Sequence, residues 1–380
     1  MKTEKLQRTD RIKISHLMFS LEPGGLENGV VNIANGLNRE QFEIEIACLE
    51  RKGSFLQRLD GDVGVFCMEK PAGVSMGALV RLTKYLRKAR PDIVNTHNLG
   101  PLFYAVLARF FCFGRFRILH GEHGVFRAGD LTWKRLRMRR VLYRACHAIH
   151  TVSHSLTDYL VEELKFSPKR IATIINGVDC ERFHPPADKR DAKRAVKIPP
   201  GSLVIGMVGR LIQSKRHLLV LEAFNNLAAA NSELVLLIVG DGGDTRVAVE
   251  QVINDHVYRG RIYWVGHQDN PVPYYHAMDL LVMPSSVEGL SNALLEAMAC
   301  GIPCLAHPAC GGNEVIQDSM NGILRRMDDL EEAEAAISQN IRDTTLLIHL
   351  GREARLTARD NFSLETMISN YSLLYRDTME

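Results

Sequence analysis

Apolar residues in this chain gather in short dense runs, and between the runs they recur every three or four positions. KISHLMF (13–19), FEIEIACL (42–49), VGVFCM (63–68), DIVNTH (92–97), RILHGE (117–122) and HAIHTVS (147–153) have the density of buried strands. NGVVNIANGLN (28–38) and GALVRLTKYLRKAR (77–90) have helical spacing instead. Strands alternating with helices predict βαβ units and a parallel sheet. ATIINGVD (172–179) adds one more strand, and then the pattern lapses. Residues 181–200 are charged and proline-bearing, the composition of a linker. The alternation restarts at SLVIGMVGR (202–210) and continues through LVLLIVG (234–240), RIYWVG (261–266), DLLVMPS (279–285) and IPCLAH (302–307).

The expected fold is therefore α/β, with two Rossmann-like parallel-sheet domains facing across a cleft. Their bounds are read as 1–180 and 201–361, joined by the linker 181–200. A length of 380 residues agrees, being too great for one ordinary core. In such sheets ligands bind beyond the C-terminal ends of the strands. The distinctive residues fall there: Gly24 and Gly25 after the first strand, His97 after DIVNT, His123 after RILHGE, and Arg210 after VIGMVG.

Composition is that of a globular protein, 46% hydrophobic and 24% charged. No apolar run approaches the length needed to span a bilayer, and the N-terminus MKTEKLQRTDRIK lacks an apolar leader, so a cytoplasmic location is expected. The eight cysteines form no C-x-x-C pair and sit mostly in apolar patterns, which suits reduced structural thiols. The net charge of +3 conceals an asymmetry: residues 1–175 carry +11 and the remainder −8. The sharpest basic run, WKRLRMRRVLYR (133–144), interleaves Trp133, Leu136, Val141 and Leu142 with its cations. It suits peripheral contact with the anionic inner face of a membrane, or a lipid-linked phosphate. The alternative is a solvated helix face with its apolar stripe packed inward.

Chemistry concentrates in EGLSNALLEAMA (288–299), which follows the apolar run at 280–283. Ser291 or Asn292 can cap the helix that begins there, leaving Glu288 in the loop and Glu296 inside the helix. The N–H groups of residues 290–293 then offer a site for a phosphate. Two acceptor-only carboxylates flanking an anion site suit a ligand with charge in the middle and hydroxyls at both ends, as in a nucleotide sugar. GRLIQSK (209–215) places Arg210 and Lys215 after a buried strand, where a guanidinium and an ammonium can clamp a diphosphate; scattered surface charge is the plainer account of that pair. Gly24 and Gly25 allow close backbone approach to a ligand, or make an ordinary turn. GDGGD (240–244) reads as a strand-to-helix turn, and no dinucleotide fingerprint is present. Among fourteen histidines, His97, His120 and His123 stand out, His123 for the glycines around it.

Taken together, PGGLE, INGVD, GRLIQSK, LIVGDGG, YYHAMDLLVMPSSVEGLSNALLEAMACGIPCLA, GGNEVI and NGIL resemble glycosyltransferase family 4, the retaining group 1 transferases of the GT-B fold. The likeness extends from about residue 12 to 378, and it also touches sugar transferases of exosortase-type exopolysaccharide clusters. The resemblance implies a hexosyltransferase-type enzyme that needs neither metal nor cofactor. Its donor would be a UDP- or GDP-linked sugar, its acceptor a glycan or lipid-linked molecule, and nucleic acid no partner. Arg210 and Lys215 would neutralise the leaving diphosphate. Glu288 would hold sugar hydroxyls and Glu296 the ribose diol. Gly209, Gly289, Leu290, Ser291 and Asn292 would line the donor phosphate, with Gly24 and Gly25 closing on it. His123 would meet the sugar near the reacting carbon, while His97 and Asn98 would face the acceptor. With no evident carboxylate nucleophile, transfer would proceed on the front face. Residues 362–380 would form a terminal helix packing back on the first domain. Arg216 departs from the family, which often has glycine there. Other readings are a GT-B epimerase or phosphorylase, or a non-catalytic nucleotide-sugar-binding subunit.

Overall fold

The computed structural model describes residues 11–124 and 132–380. The reading of the N-terminus as leaderless falls largely on residues 1–10, outside the described residues. Two compact units result: residues 1–175 with 367–380, and residues 176–366. Both are built on wholly parallel sheets, as the dense apolar runs predict.

In the first unit, strands β1 (Ile12–Ser20), β2 (Phe42–Arg51), β3 (Gly64–Cys67), β4 (Ile93–His97), β5 (Arg117–Glu122), β6 (Ala148–Thr151) and β7 (Ile171–Thr173) pair in the order β3-β2-β1-β4-β5-β6-β7. The reversal of direction between β1 and β4 is the topological switch of a doubly wound fold. The connecting helices are α1 (Gly25–Gly36), α2 (Met76–Ala89), α3 (Leu99–Phe111), α4 (Trp133–Arg144) and α5 (His154–Glu162). Ser75 starts α2 by accepting the Ala78 N–H at 3.2 Å, and α2 buries Ala78, Leu79, Leu82 and Leu86 on one face.

In the second unit, β8 (Leu203–Val208), β9 (Leu234–Val239), β10 (Ile262–Trp264), β11 (Leu280–Met283), β12 (Cys304–Ala306) and β13 (Ile323–Leu324) take the order β10-β9-β8-β11-β12-β13. All six residues of β9 are buried, which is why LVLLIV shows no alternation. The helices here are α6 (Lys189–Ala195), α7 (His217–Ala230), α8 (Arg246–Asp255), α9 (Val272–Ala277), α10 (Asn292–Ala299), α11 (Leu330–Ile341) and α12 (Thr344–Asn361). The segment read as a linker holds α6, which packs against α9. Its Lys193 is 6% exposed and reaches Asp279 at 2.7 Å and the Ser202 carbonyl at 2.8 Å. A charged heptad thus becomes part of the second unit through a partner far along the chain.

The chain leaves the second unit beside a parallel bridge between Val178 and Ser363 and enters α13 (Leu364–Met379). From Met367 onward α13 belongs to the first unit. Tyr371 and Tyr375 are buried there, and the Tyr375 hydroxyl accepts from the Asn95 amide at 2.9 Å. Gly36 admits this helix: a β-carbon at 36 would lie 2.0 Å from Ile368 Cδ1. Among the described residues, no helix is long and apolar enough to cross a membrane.

Candidate active site

Four loops meet at the C-terminal end of the second sheet. After β8 the chain turns at Gly209, whose φ of +146° is open to glycine. Gly240 crosses it so closely that a β-carbon at 240 would lie 2.0 Å from the Gly209 oxygen. Arg210 follows, exposed, its side chain making no hydrogen bond or ion pair among the described residues. A 3-10 turn at Gln213–Lys215 then aims Lys215 at Glu288, and its Nζ donates to both carboxylate oxygens at 2.7 Å. The side chains are 14% and 23% exposed, so the pair is partly shielded from water. Backbone bonds join the same two loops: the Ser286 N–H donates to Ser214 O at 2.9 Å.

Arg216, the departure from the family pattern, sits at φ +53°, a left-handed conformation that explains a preference for glycine. Its guanidinium turns to Asp328 at 3.1 Å and the Met327 carbonyl at 2.7 Å. It therefore adds no free charge beside Lys215. Asp241 and Asp244 are also occupied: Asp241 accepts from Arg246 at 2.8 Å, and Asp244 from the Gln213 N–H at 3.0 Å.

The start of α10 differs in detail from the capping expectation. Ser291 occupies the cap position and is 2% exposed, but its side chain makes no capping bond. Asn292, the first residue of the helix, accepts from the Asn176 amide at 3.0 Å. Gly289 and Leu290 are buried, and Gly311 lies directly against them. Glu296, one turn into α10, accepts from the Tyr275 hydroxyl at 2.8 Å. Tyr275, fully buried, orients that carboxylate, a role the sequence did not reveal. The structure thus brings Gly209, Lys215 and Glu288 together, with Gly289–Asn292 following directly and Glu296 at its tyrosine.

In the first unit, Gly24 is the cap of α1, in extended conformation, and Gly25 is the first residue of that helix. The loop before them is seated by Gly53, where φ is +81° and a β-carbon would strike the Leu21 backbone at 2.3 Å. His97 ends β4, and Asn98 caps α3 with φ +71°. His97 Nδ1 lies 2.8 Å from His123 Nε2, and its Nε2 lies 3.0 Å from His16 Nδ1. His150, from β6, completes the group, its Nδ1 3.3 Å from the Tyr371 hydroxyl. Burial holds all four rings neutral: His16 is pushed down to about 3 and His123 to about 4, while His97 and His150 fall well below the usual value. His120 belongs to a neighbouring set, with its Nδ1 2.9 Å from Thr96 Oγ1.

Comparison with known proteins agrees with the two-unit architecture. A family model described as glycosyltransferase family 4 matches residues 23–182, and one described as glycosyl transferases group 1 matches residues 202–343. The UDP-Gal:alpha-D-GlcNAc-diphosphoundecaprenol alpha-1,3-galactosyltransferase of Escherichia coli is 27% identical, covering 97% of both chains. The N-acetyl-alpha-D-glucosaminyl L-malate synthase of Bacillus anthracis is 28% identical over 79% of this chain and 78% of its own. Among solved structures, Anabaena HepE in complex with UDP and glucose superposes with a TM-score of 0.83 at 19% identity, covering 96% of this chain and all of that one. With one model on each unit, the chain belongs to the family 4, group 1 glycosyltransferases of the GT-B fold.

Proposed function

We propose that the protein transfers a sugar from a UDP-linked donor to a lipid-linked glycan acceptor, with retention of anomeric configuration and without a divalent ion. The observation that carries this reading is the Lys215–Glu288 pair, held where the loops after β8 and β11 are bonded together at the start of α10. A cation there can neutralise a leaving diphosphate, the work a metal does in other enzymes. UDP is favoured over GDP by the names of the relatives: HepE was solved with UDP, and the Escherichia coli enzyme uses UDP-Gal. That relative's undecaprenol-linked acceptor supports the lipid-linked class. Glu288 is a poor nucleophile while both its oxygens accept from Lys215, which favours front-face transfer in which a donor phosphate oxygen takes the acceptor proton.

Thermal-shift screening of UDP-, GDP- and ADP-sugars tests the donor, since a ligand that binds the folded state raises Tm. UDP-sugars should give the largest shift. Turnover should survive excess EDTA, and the product's anomeric proton should report retention by NMR. Loss of turnover in EDTA with recovery on Mg²⁺ would overturn the metal-free reading.

The two carboxylates should separate kinetically. Glu296→Ala should weaken UDP binding by about 1–3 kcal/mol, because it leaves ribose hydroxyls unpaired and removes the shorter of the two bonds of the Tyr275 hydroxyl. Glu288→Ala should lower kcat more than donor affinity. Equal effects on both parameters in both variants would count against the assignment.

Peripheral membrane contact has support of its own in α4. Trp133 and Val141 point outward, 67% and 59% exposed, among exposed Lys134, Arg137, Arg140 and Arg144. Arg139 is buried and takes no part. The neighbouring end of α3 exposes Phe110, and Phe113 follows it at 82% exposure. Replacing Lys134, Arg137 and Arg140 with glutamine should sharply reduce sedimentation with anionic liposomes, and added salt should do the same to the parent protein. Sedimentation indifferent to both would rule the surface out.

A further inference from the structure

The histidine cluster of the first unit has a geometry that hydrogen bonding alone leaves incomplete. The sheet register sets His97, Gly121 and His150 side by side on adjacent strands. Cross-strand neighbours point to the same face, so the missing side chain at 121 opens a gap between two imidazoles. His123, two residues further on, leans into that gap. A β-carbon at 121 would lie 2.5 Å from His150 Nε2 and 2.7 Å from His123 Nε2. His150 Nε2 is fully buried and has no hydrogen-bond partner, an uncompensated cost in a native core. One ring nitrogen from each of His97, His123 and His150 lies within 4.8 Å of the others.

We propose that His97, His123 and His150 form a binding site for a single divalent ion of borderline softness, Zn²⁺ foremost. Three imidazoles and one water make a common tetrahedral set for zinc. With bonds of about 2.0–2.1 Å, the nitrogens of such a set stand roughly 3.3 Å apart. The present spacing, 2.8 Å between His97 and His123 and at most 4.8 Å overall, brackets that value, so modest ring rotations suffice. The ion occupies the position of the proton that His97 and His123 now share, and that proton moves to the other nitrogen of its ring. The outward nitrogens of two ligands already have partners, His16 for His97 and Tyr371 for His150. Such partners orient ligating imidazoles and raise their affinity. His123 is the least buried of the three and gives the ion its entrance. Oxygen-preferring Mg²⁺ has no place in an all-nitrogen site.

Metal in this site ties up His123 and so should inhibit transfer; the inhibition, unlike the binding, rests on the functional reading above. The test uses the full chain, freed of metal with EDTA and then dialysed. Zn²⁺ affinity is read by competition with a chromophoric chelator, and Co²⁺ serves as an optical stand-in. One Zn²⁺ should bind per chain, with Co²⁺ giving the visible bands of a four- or five-coordinate ion. His150→Phe should weaken binding at least tenfold. His276→Asn, which removes a histidine from the second unit's His184–His276 pair, should change nothing. His150→Asn, which keeps a partner for Tyr371 but cannot reach the gap, provides a second variant should the phenylalanine fail to fold. Unaltered Zn²⁺ affinity in a folded His150 variant overturns the site, as does absence of the Co²⁺ bands in the parent. Tight binding without inhibition supports the site and counts instead against a role for His123 in transfer.

Discussion

Lys215→Ala should lower kcat/KM by roughly 100-fold, and Arg210→Ala by roughly tenfold. The difference follows from their surroundings. Arg210 is exposed and its side chain has no partner among the described residues, so its loss removes one charge-assisted contact to the donor, worth about 1.5–3 kcal/mol before solvent screening. Lys215 carries two functions. It donates to both oxygens of Glu288 at 2.7 Å, and it is a fixed cation on the loop that is bonded to the approach to α10. Without it, a partly shielded carboxylate faces the expected diphosphate with its Lys215 partner gone and repels it. A double-mutant cycle separates the two functions. If neutralising the repulsion matters, Lys215→Ala with Glu288→Gln should lose less than the sum of the single variants. Strict additivity would mean that the observed pair plays no part in catalysis.

The parallel sheets were legible because their central strands, β4, β9, β11 and β12 among them, are buried on both faces and therefore read as unbroken apolar runs. LVLLIV and DLLVM required no partner to be recognised. The helix at 189–195 was not legible: KRDAKRA resembles a solvated linker until Asp279 supplies a partner for the buried Lys193. Position 216 was legible only as an exception. The requirement at that residue is a left-handed backbone, which arginine meets at a cost of about 1–2 kcal/mol and which Asp328 helps to offset.

The candidate site divides in the same way. Glu288 through Glu296 lie within one loop and one helix, so their spacing in sequence is close to their spacing in space. His16 and His150 stand 134 positions apart, and each looks like an ordinary strand residue. Only the order β1-β4-β5-β6 gathers them around His97 and His123. Strand order depends on which connections cross over, and the hydrophobic pattern of an individual strand contains no record of it. Tyr275 was hidden for a similar reason, since a tyrosine before a buried strand signals packing until its hydroxyl is seen on Glu296.

Gly311→Ala should be strongly damaging for a change of a single methyl group near the donor loop. Gly311 has φ +71°, and a β-carbon there would lie 2.0 Å from the Gly289 oxygen and 2.9 Å from Leu290 Cα. These are backbone atoms and cannot swing aside, so the Gly289–Leu290 segment must move. Left-handed strain of about 1–2 kcal/mol and overpacking of about 1–3 kcal/mol together predict a fall in Tm of roughly 5–10 °C. The displaced segment leads into α10, so UDP should also lose at least tenfold in affinity. Gly73→Ala supplies the control: its φ is +79°, but a β-carbon meets nothing within 4 Å. That variant carries the backbone strain without the collision and should leave UDP affinity unchanged. If Gly311→Ala bound UDP as tightly as Gly73→Ala does, the packing of Gly311 on Gly289 would be holding the fold alone, and the phosphate would have to be sought away from the start of α10.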